Sequence, residues 1–356
     1  MTIYRCGAVP DRFDTMVRDG RGRHHIVDIH AHMGVPAAAA LAQPHFDPSR
    51  DPNARYTSPA SQAVNRRMAE TIRPALTTVE AKLADMDRMG IDMQVLSPAP
   101  PQYYYWADPE LGLATSRLIN EAIADAVARH PDRFAGFATL PIQAPELAVR
   151  EMRRAVDELG LKGVEISTNV DGRELSDPAF APVFAAAEDM GLVVFLHPLG
   201  FSHGERLATH YLNNIVGNPL ESTVAVSHLI FGGVLDRHPG LKICVAHGGG
   251  YLPAYSGRMD HAFHARDDCR GCHHPPSHYL RRLYFDTVLF DRTQLRHLVE
   301  VYGADHLLMG TDHPFDMGES DPVGFVRGTP GLSERDVDAI LGGNATDLLC
   351  LDRTLR

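Results

Sequence analysis

No apolar run in this sequence is long enough to cross a bilayer. The longest, Val35 to Ala42, already contains a proline, and a spanning helix needs about 20 residues. The first fourteen residues, MTIYRCGAVPDRFD, lack an apolar core segment, so no secretory signal and no membrane association are expected. Cysteines are sparse and odd in number: Cys6, Cys244, Cys269, Cys272 and Cys350. They read as thiols of a reducing compartment and not as a disulfide framework, which points to a cytoplasmic protein. A basic excess is also missing. Lys and Arg number 34 against 45 Asp and Glu, for a net charge of −11, which argues against a nucleic-acid partner and against a polybasic membrane patch. There is no P-loop, and no G-x-G-x-x-G follows a strand. The run Gly248-Gly249-Gly250 follows a histidine and leads to Tyr251-Leu252-Pro253, not to a clean helix start. A nucleotide site is therefore not expected.

What is present is an ordinary globular core and an unusual supply of imidazole. Apolar residues make up 44% of the chain, enough to exclude a disordered or collagen-like protein. With 20 histidines in 356 residues, a metal enzyme is worth testing. Short β-branched runs recur at His25–His30, Met93–Ser97, Phe134–Leu140, Gly163–Ser167, Val193–His197, Lys242–His247, Leu283–Asp286 and Leu307–Gly310. Several are near-continuous apolar runs, as parallel strands covered on both faces should be. Helical patterns separate them. Thr77-x-x-Glu80 has the spacing of a capping box, with a stop at Gly90. Asp108-Pro109 opens a helix that runs to about His130, and Pro145 to Gly160 and Asp177-Pro178 to Gly191 repeat the logic. Weaker patterns cover 219–237, 292–302 and 333–341. Eight alternating strands and helices predict an α/β fold, a (β/α)8 TIM barrel, with a doubly wound sheet as the alternative. Residues 1–356 read as one barrel domain, and the aperiodic Pro-, Ala- and Arg-rich stretch after strand 1, within 33–80, reads as an insertion or lid.

The chemistry lies in where polar residues fall along these strands. His30 and His32 are two apart on strand 1 and share a face. His197 ends strand 5, His247 ends strand 6 and Asp312 ends strand 8. In a barrel these C-terminal ends meet on one face, where barrel active sites lie. A histidine at one strand end is ordinarily a satisfied polar group, but four strand ends converging on one mouth are not explained that way. Three neutral imidazoles and one carboxylate suit a divalent ion, zinc first and manganese as the alternative.

The same residues carry a resemblance. Asp28-Ile-His30-Ala-His32, Phe-Leu-His197-Pro198, Ala246-His247-Gly-Gly-Gly250 and Gly310-Thr-Asp312-His-Pro-Phe resemble the metal-site motifs of the amidohydrolase superfamily, most closely its decarboxylase branch. Further matched stretches include Arg133-Phe-Ala-Gly-Phe-Ala-Thr-Leu-Pro141 and Gly257-Arg258-Met-Asp-His261. The resemblance implies that His30, His32, His197 and Asp312 hold the metal, with Asp312 also at the catalytic centre. It implies that His247 is the acid/base, and that Arg258 binds a substrate carboxylate across a homodimer interface. Two departures concern the substrate pocket. The branch usually continues His-Pro-Trp after strand 5, where this chain has His197-Pro198-Leu199. A second carboxylate-binding arginine is usual after strand 1, and Arg66, Arg67 and Arg73 are present there without clear register.

The implied activity is a metal-dependent, non-oxidative decarboxylase, a carbon–carbon lyase acting on a small unsaturated or aromatic carboxylic acid, as in aromatic catabolism. A hydrolase or hydratase of a small cyclic or unsaturated acid on the same scaffold is the alternative. Cys269-Arg-Gly-Cys272-His273-His274 superficially matches a haem attachment or half a zinc ribbon, but no second C-x-x-C exists. Glu165 on strand 4 is a candidate for the substrate side or for supporting the metal site. Asp28, two before His30, is a candidate support for a ligand.

Overall fold

The computed structural model describes residues 25–351; Cys6 and the N-terminal stretch read above lie outside them. Eight strands pair in sequence order and in parallel: β1 (Val27–Met33), β2 (Met93–Pro98), β3 (Phe134–Ala138), β4 (Gly163–Ser167), β5 (Val193–His197), β6 (Lys242–Val245), β7 (Tyr284–Asp286) and β8 (Leu307–Leu308). β1 and the segment after β8 meet to close the ring. The Ile29 amide donates to the Met309 carbonyl at 2.9 Å, the His32 amide donates to the His313 carbonyl at 2.8 Å, and Ala31 bridges His313 in parallel. This is the (β/α)8 barrel the alternation predicts.

The strands are buried along nearly their whole length, because helices cover them outside and side chains fill them inside. Ile29, Val95, Phe137, Phe195, Cys244 and Leu308 come from six different strands and form one cluster. Residues so distributed can meet only in the interior, where they make a dry floor beneath the strand ends.

The principal helices are α1 (Pro36–Ala42), α2 (Pro59–Thr77), α3 (Val79–Met89), α4 (Pro109–Arg129), α5 (Pro145–Asp157), α6 (Ala181–Asp189), α7 (Gly217–Phe231), α8 (Leu252–Ala265) and α9 (Arg292–Tyr302). Asp108 caps α4 by accepting from the Glu110 and Leu111 amides, with Pro109 in the first turn. Gly90 ends α3 at φ 71°, a left-handed conformation that favours glycine. Three local readings differ. The stretch 59–77, read as aperiodic in sequence, is helical, and none of its residues is fully buried. Because that helix precedes α3, the hydroxyls of Thr77 and Thr78 bond back to the carbonyls of Arg73 and Pro74 instead of forming the expected capping box. A helix does begin at Leu252, straight after the glycine run. A two-strand hairpin, Asn169–Val170 with Arg173–Glu174, was not expected.

Candidate metal centre

All five strand-end residues meet at the mouth of the barrel. His30 and His32 lie on β1, whose pairing with β2 shifts register between Asp28 and Ala31, an irregularity of the kind that re-aims side chains beside active sites. His197 is the last residue of β5. His247 follows β6, and Asp312 lies in the loop after β8, beyond the strand end expected for it. Both take left-handed backbone conformations, φ 56° and 60°, which for residues with a Cβ cost on the order of 1–2 kcal/mol. The surrounding fold holds that strain at the functional mouth.

His30, His32, His197 and Asp312 are buried, and each brings a ligand atom to within 4.8 Å of the others. The two Nε2 atoms of His30 and His32 face each other at 3.0 Å. Asp312 Oδ1 stands 3.2 Å from His32 Nε2 and 3.4 Å from His30 Nε2. Neither ring nitrogen of His197 has a hydrogen-bond partner, nor does Asp312 Oδ1. Buried polar atoms without partners are destabilising; a partnerless nitrogen of His197 and Oδ1 of Asp312, beside the facing Nε2 atoms of His30 and His32, fit a cation. Zinc and manganese both accept this donor set.

The outer nitrogens fix the tautomers. His30 Nδ1 donates to Asp286 Oδ2 at 2.6 Å, and His32 Nδ1 donates to the Pro98 carbonyl at 2.9 Å. Each Nε2 is thereby left with its lone pair toward the centre. Burial lowers the His197 imidazole well below its ordinary value, and the neighbouring rings of His32, His30 and His247 add to this. A neutral imidazole is the ligating form. Burial alone raises Asp312, but His30 and then His247 and His32 outweigh it and hold the carboxylate well below the usual range. For His30, burial works against the proton, yet Asp312 and Asp286 hold it well above the ordinary imidazole value. A divalent cation competes directly with that proton.

Asp286, at the end of β7, is the residue sequence reasoning missed. Its Oδ1 accepts the amides of Gly248 and Val288 at 2.9 and 3.1 Å while Oδ2 holds His30. The signal was available: Asp286 ends a strand, as His197, His247 and Asp312 were read to do. Asp28 touches no ligand ring. It accepts from the His30 amide, the Thr311 amide and hydroxyl, and Gln94, tying β1 to the segment bearing Asp312. Glu165 is buried, accepts the Tyr103 hydroxyl at 2.6 Å and stands 3.9 Å from His32 Nδ1.

His247 Nε2 lies 3.6 Å from Asp312 Oδ2, and its Nδ1 has no partner. The ring borders a cavity of about 520 Å³ whose walls include Ile215, Pro219, Val288, Leu289, Phe290 and Met317. A second cavity, about 340 Å³, is lined by Tyr103, Tyr105, Trp106 and Leu199, and by Arg50 and Arg55 from the segment after β1. Arg66, Arg67 and Arg73 are exposed on α2. Arg258 is exposed on α8 and lines neither cavity of its own chain. Among the described residues no helix is long and apolar enough to cross a membrane.

The chain is similar to several known proteins. The amidohydrolase family matches residues 27–351. A 2-amino-3-carboxymuconate-6-semialdehyde decarboxylase of Dictyostelium discoideum is 38% identical over 275 residues, 77% of each chain. A gamma-resorcylate decarboxylase of Rhodococcus jostii is 31% identical over 297 residues, 77% of this chain and 88% of the relative. The crystal structure of 5-carboxyvanillate decarboxylase from Sphingomonas paucimobilis superposes with a TM-score of 0.81 at 28% identity, covering 92% of this chain and 99% of the other.

Proposed function

This chain belongs to the amidohydrolase family, and we propose that within it the protein is a metal-dependent, non-oxidative decarboxylase of a small unsaturated or aromatic carboxylic acid. The carrying observation is the buried His30, His32, His197 and Asp312 set opening beside His247 onto a largely apolar cavity. The four residues hold one divalent ion, zinc by preference and manganese as the alternative. When bound, that ion supplies Lewis-acid polarisation of substrate oxygens.

The chain's own residues do the rest. An apolar cavity strips water from the substrate carboxylate, and charge that disperses as CO2 departs is better tolerated there than localised charge. Cleavage of the carbon–carboxylate bond leaves its electron pair on the substrate carbon. His247 delivers a proton from Nε2 to that carbon, converting C–COO⁻ to C–H and CO2. Asp312, 3.6 Å from that nitrogen, stabilises the protonated ring before transfer.

Arg258 fixes a substrate carboxylate from a neighbouring subunit, which its exposed position outside its own cavities supports. The working unit is then a homodimer. Ser49 to Pro52, with Arg55 and Tyr56, help line the second cavity from the segment after β1, which supports reading 33–80 as a cover over the site of a single barrel domain. Cysteines are scarce, and the four described, Cys244, Cys269, Cys272 and Cys350, are free, which supports a cytoplasmic location.

The test is a panel of unsaturated and aromatic acids assayed together for CO2 release and for water uptake, with metal analysis of the wild type and of His197→Ala. Expected are CO2 release and about one ion per chain, lost in the variant. Full occupancy in His197→Ala overturns the ligand assignment, and water uptake without CO2 release overturns the decarboxylase.

A further inference from the structure

Three of the four proposed ligands sit on the seam where the barrel closes. His30 and His32 are on β1, and Asp312 is on the segment after β8. Their mutual distance therefore depends on how these two backbones are held together. The Asp312 amide donates to the His30 carbonyl at 2.8 Å, and the His32 amide donates to the His313 carbonyl at 2.8 Å. Across the back of this seam lies α3, with two polar residues three apart that reach one strand each.

Lys82 is almost wholly buried, and its Nζ donates to the main-chain carbonyl of His32 at 2.5 Å. Asp85, one turn later, accepts from Nε2 of His313 at 2.8 Å, and His313 is the residue after Asp312. A buried lysine is among the rarest of core residues, and burying its amine is opposed by desolvation. Neither Lys82 nor Asp85 borders either cavity, so neither has a part in binding substrate or moving its protons. An apolar residue at 82 would pack this helix against the barrel as well or better. The lysine's distinctive action is to fix one carbonyl, that of a ligand.

We propose that Lys82 and Asp85 form a clamp that sets the spacing of the metal ligands across the barrel seam, Lys82 through the His32 carbonyl and Asp85 through the His313 ring. Both are positioning residues. Lys82 holds the β1 end of the site and Asp85 the Asp312 end. Because they share one helical turn, a shift of α3 moves both ends together and leaves their separation unchanged. The clamp rests on the reading of His32 and Asp312 as ligands.

The experiment measures zinc and manganese affinity by chelator competition for wild type, Lys82→Met, Asp85→Asn, the double variant and His197→Ala. Thermal unfolding of the chelator-stripped proteins is recorded in parallel. Supporting partners of metal ligands typically contribute about 10–100-fold in affinity. Each single clamp variant is expected to lose affinity in that range. Its stripped form should unfold close to wild type, its activity should return when metal is raised, and the double variant should fall short of the product of the singles. Affinity within about twofold of wild type in both single variants overturns the clamp. If Lys82→Met does not fold, Asp85→Asn, whose side chain is partly exposed, decides alone. His197→Ala separates the two readings: metal retained there defeats the ligand set, whereas metal lost there but kept in both clamp variants defeats only the clamp.

Discussion

Asp286 holds the ring of His30 through a 2.6 Å hydrogen bond from Nδ1 to Oδ2, and its other oxygen accepts the amide of Gly248, the residue after His247. One carboxylate at the end of β7 thus orients both a proposed metal ligand and the turn carrying the proposed acid/base. Burial by itself raises Asp286, but the hydrogen bond and charge of His30 outweigh it and keep the carboxylate below its usual range. The charge is therefore present to set the tautomer. Asp286→Asn keeps the shape and loses the charge. Metal affinity is expected to fall by about 10–100-fold, with turnover reduced even at saturating metal because the His247 turn is loosened. Unchanged affinity by chelator competition would show that packing alone aims His30.

His247 is close to the ligand set without belonging to it. Its left-handed backbone is tolerated by asparagine better than by alanine, so His247→Asn is the cleaner substitution. The variant is expected to keep its metal and its melting temperature and to lose about 10²–10⁴-fold in turnover. Loss of metal would make His247 a fifth ligand instead.

Much of this was legible in the chain, and the reasons differ by element. The eight strands could be read because buried parallel strands are runs of Val, Ile, Leu and Phe, and the five site residues because they interrupt such runs at their ends. Asp286 shares their place at a strand end, but it acts through other residues, and a single Asp after Tyr284-Phe285 carries no spacing motif to set it apart. Helix α2 is harder to read because none of its residues is fully buried and its stripe of Met68, Ile72 and Leu76 is broken by Arg73 and Pro74. Lys82 carries no local signal, since a lysine in an amphipathic helix ordinarily faces water, whereas here it faces the seam. What β1 and the segment after β8 do to each other depends on a contact between residues about 280 apart, which no local pattern encodes.

Glu221 on α7 gives a pH test outside the proposed metal set. It is buried beside Ser202, whose amide and hydroxyl donate to Oε2 at 3.1 and 3.4 Å. Burial pushes its carboxyl up to about 6 despite those bonds. A carboxyl raised in the folded state contributes stability that is complete below its ordinary value of 4.5 and is lost as pH rises through about 6. At neutral pH the folded chain therefore bears a buried charge that the unfolded chain carries freely, a difference on the order of 2 kcal/mol. Glu221→Gln is expected to raise the melting temperature at neutral pH, with the gain shrinking as pH falls through about 6 and gone below the ordinary carboxyl value of 4.5. A gain that is the same at both ends of the range would assign it to packing.

Arg258 decides the assembly. It sits exposed on α8, six residues into the helix that follows the His247 turn, and it lines neither of the two cavities described above. Exposed apolar side chains lie on the same helix and at the mouth of the larger cavity. Tyr255, three residues earlier on the same helix, is 58% exposed, and Phe290 and Ile215 at the mouth of the larger cavity are 52% and 47% exposed. Exposed aromatic residues beside an arginine have the composition of an interface core, and closed two-fold dimers are the commonest soluble assembly. A second chain seated there would cover these side chains and carry each Arg258 toward the other chain's cavity. Arg258→Ala alone is expected to bind metal normally and lose activity, mainly through KM. Mixing it with His247→Asn then separates the geometries. If each site takes its arginine from the partner, a hybrid dimer has one intact site, and random subunit exchange recovers about a quarter of wild-type activity, since about half the dimers are hybrids. If the arginine serves its own chain, no hybrid contains an intact site. No recovery after exchange has been verified by mass, or full activity in a monomer, excludes the shared site.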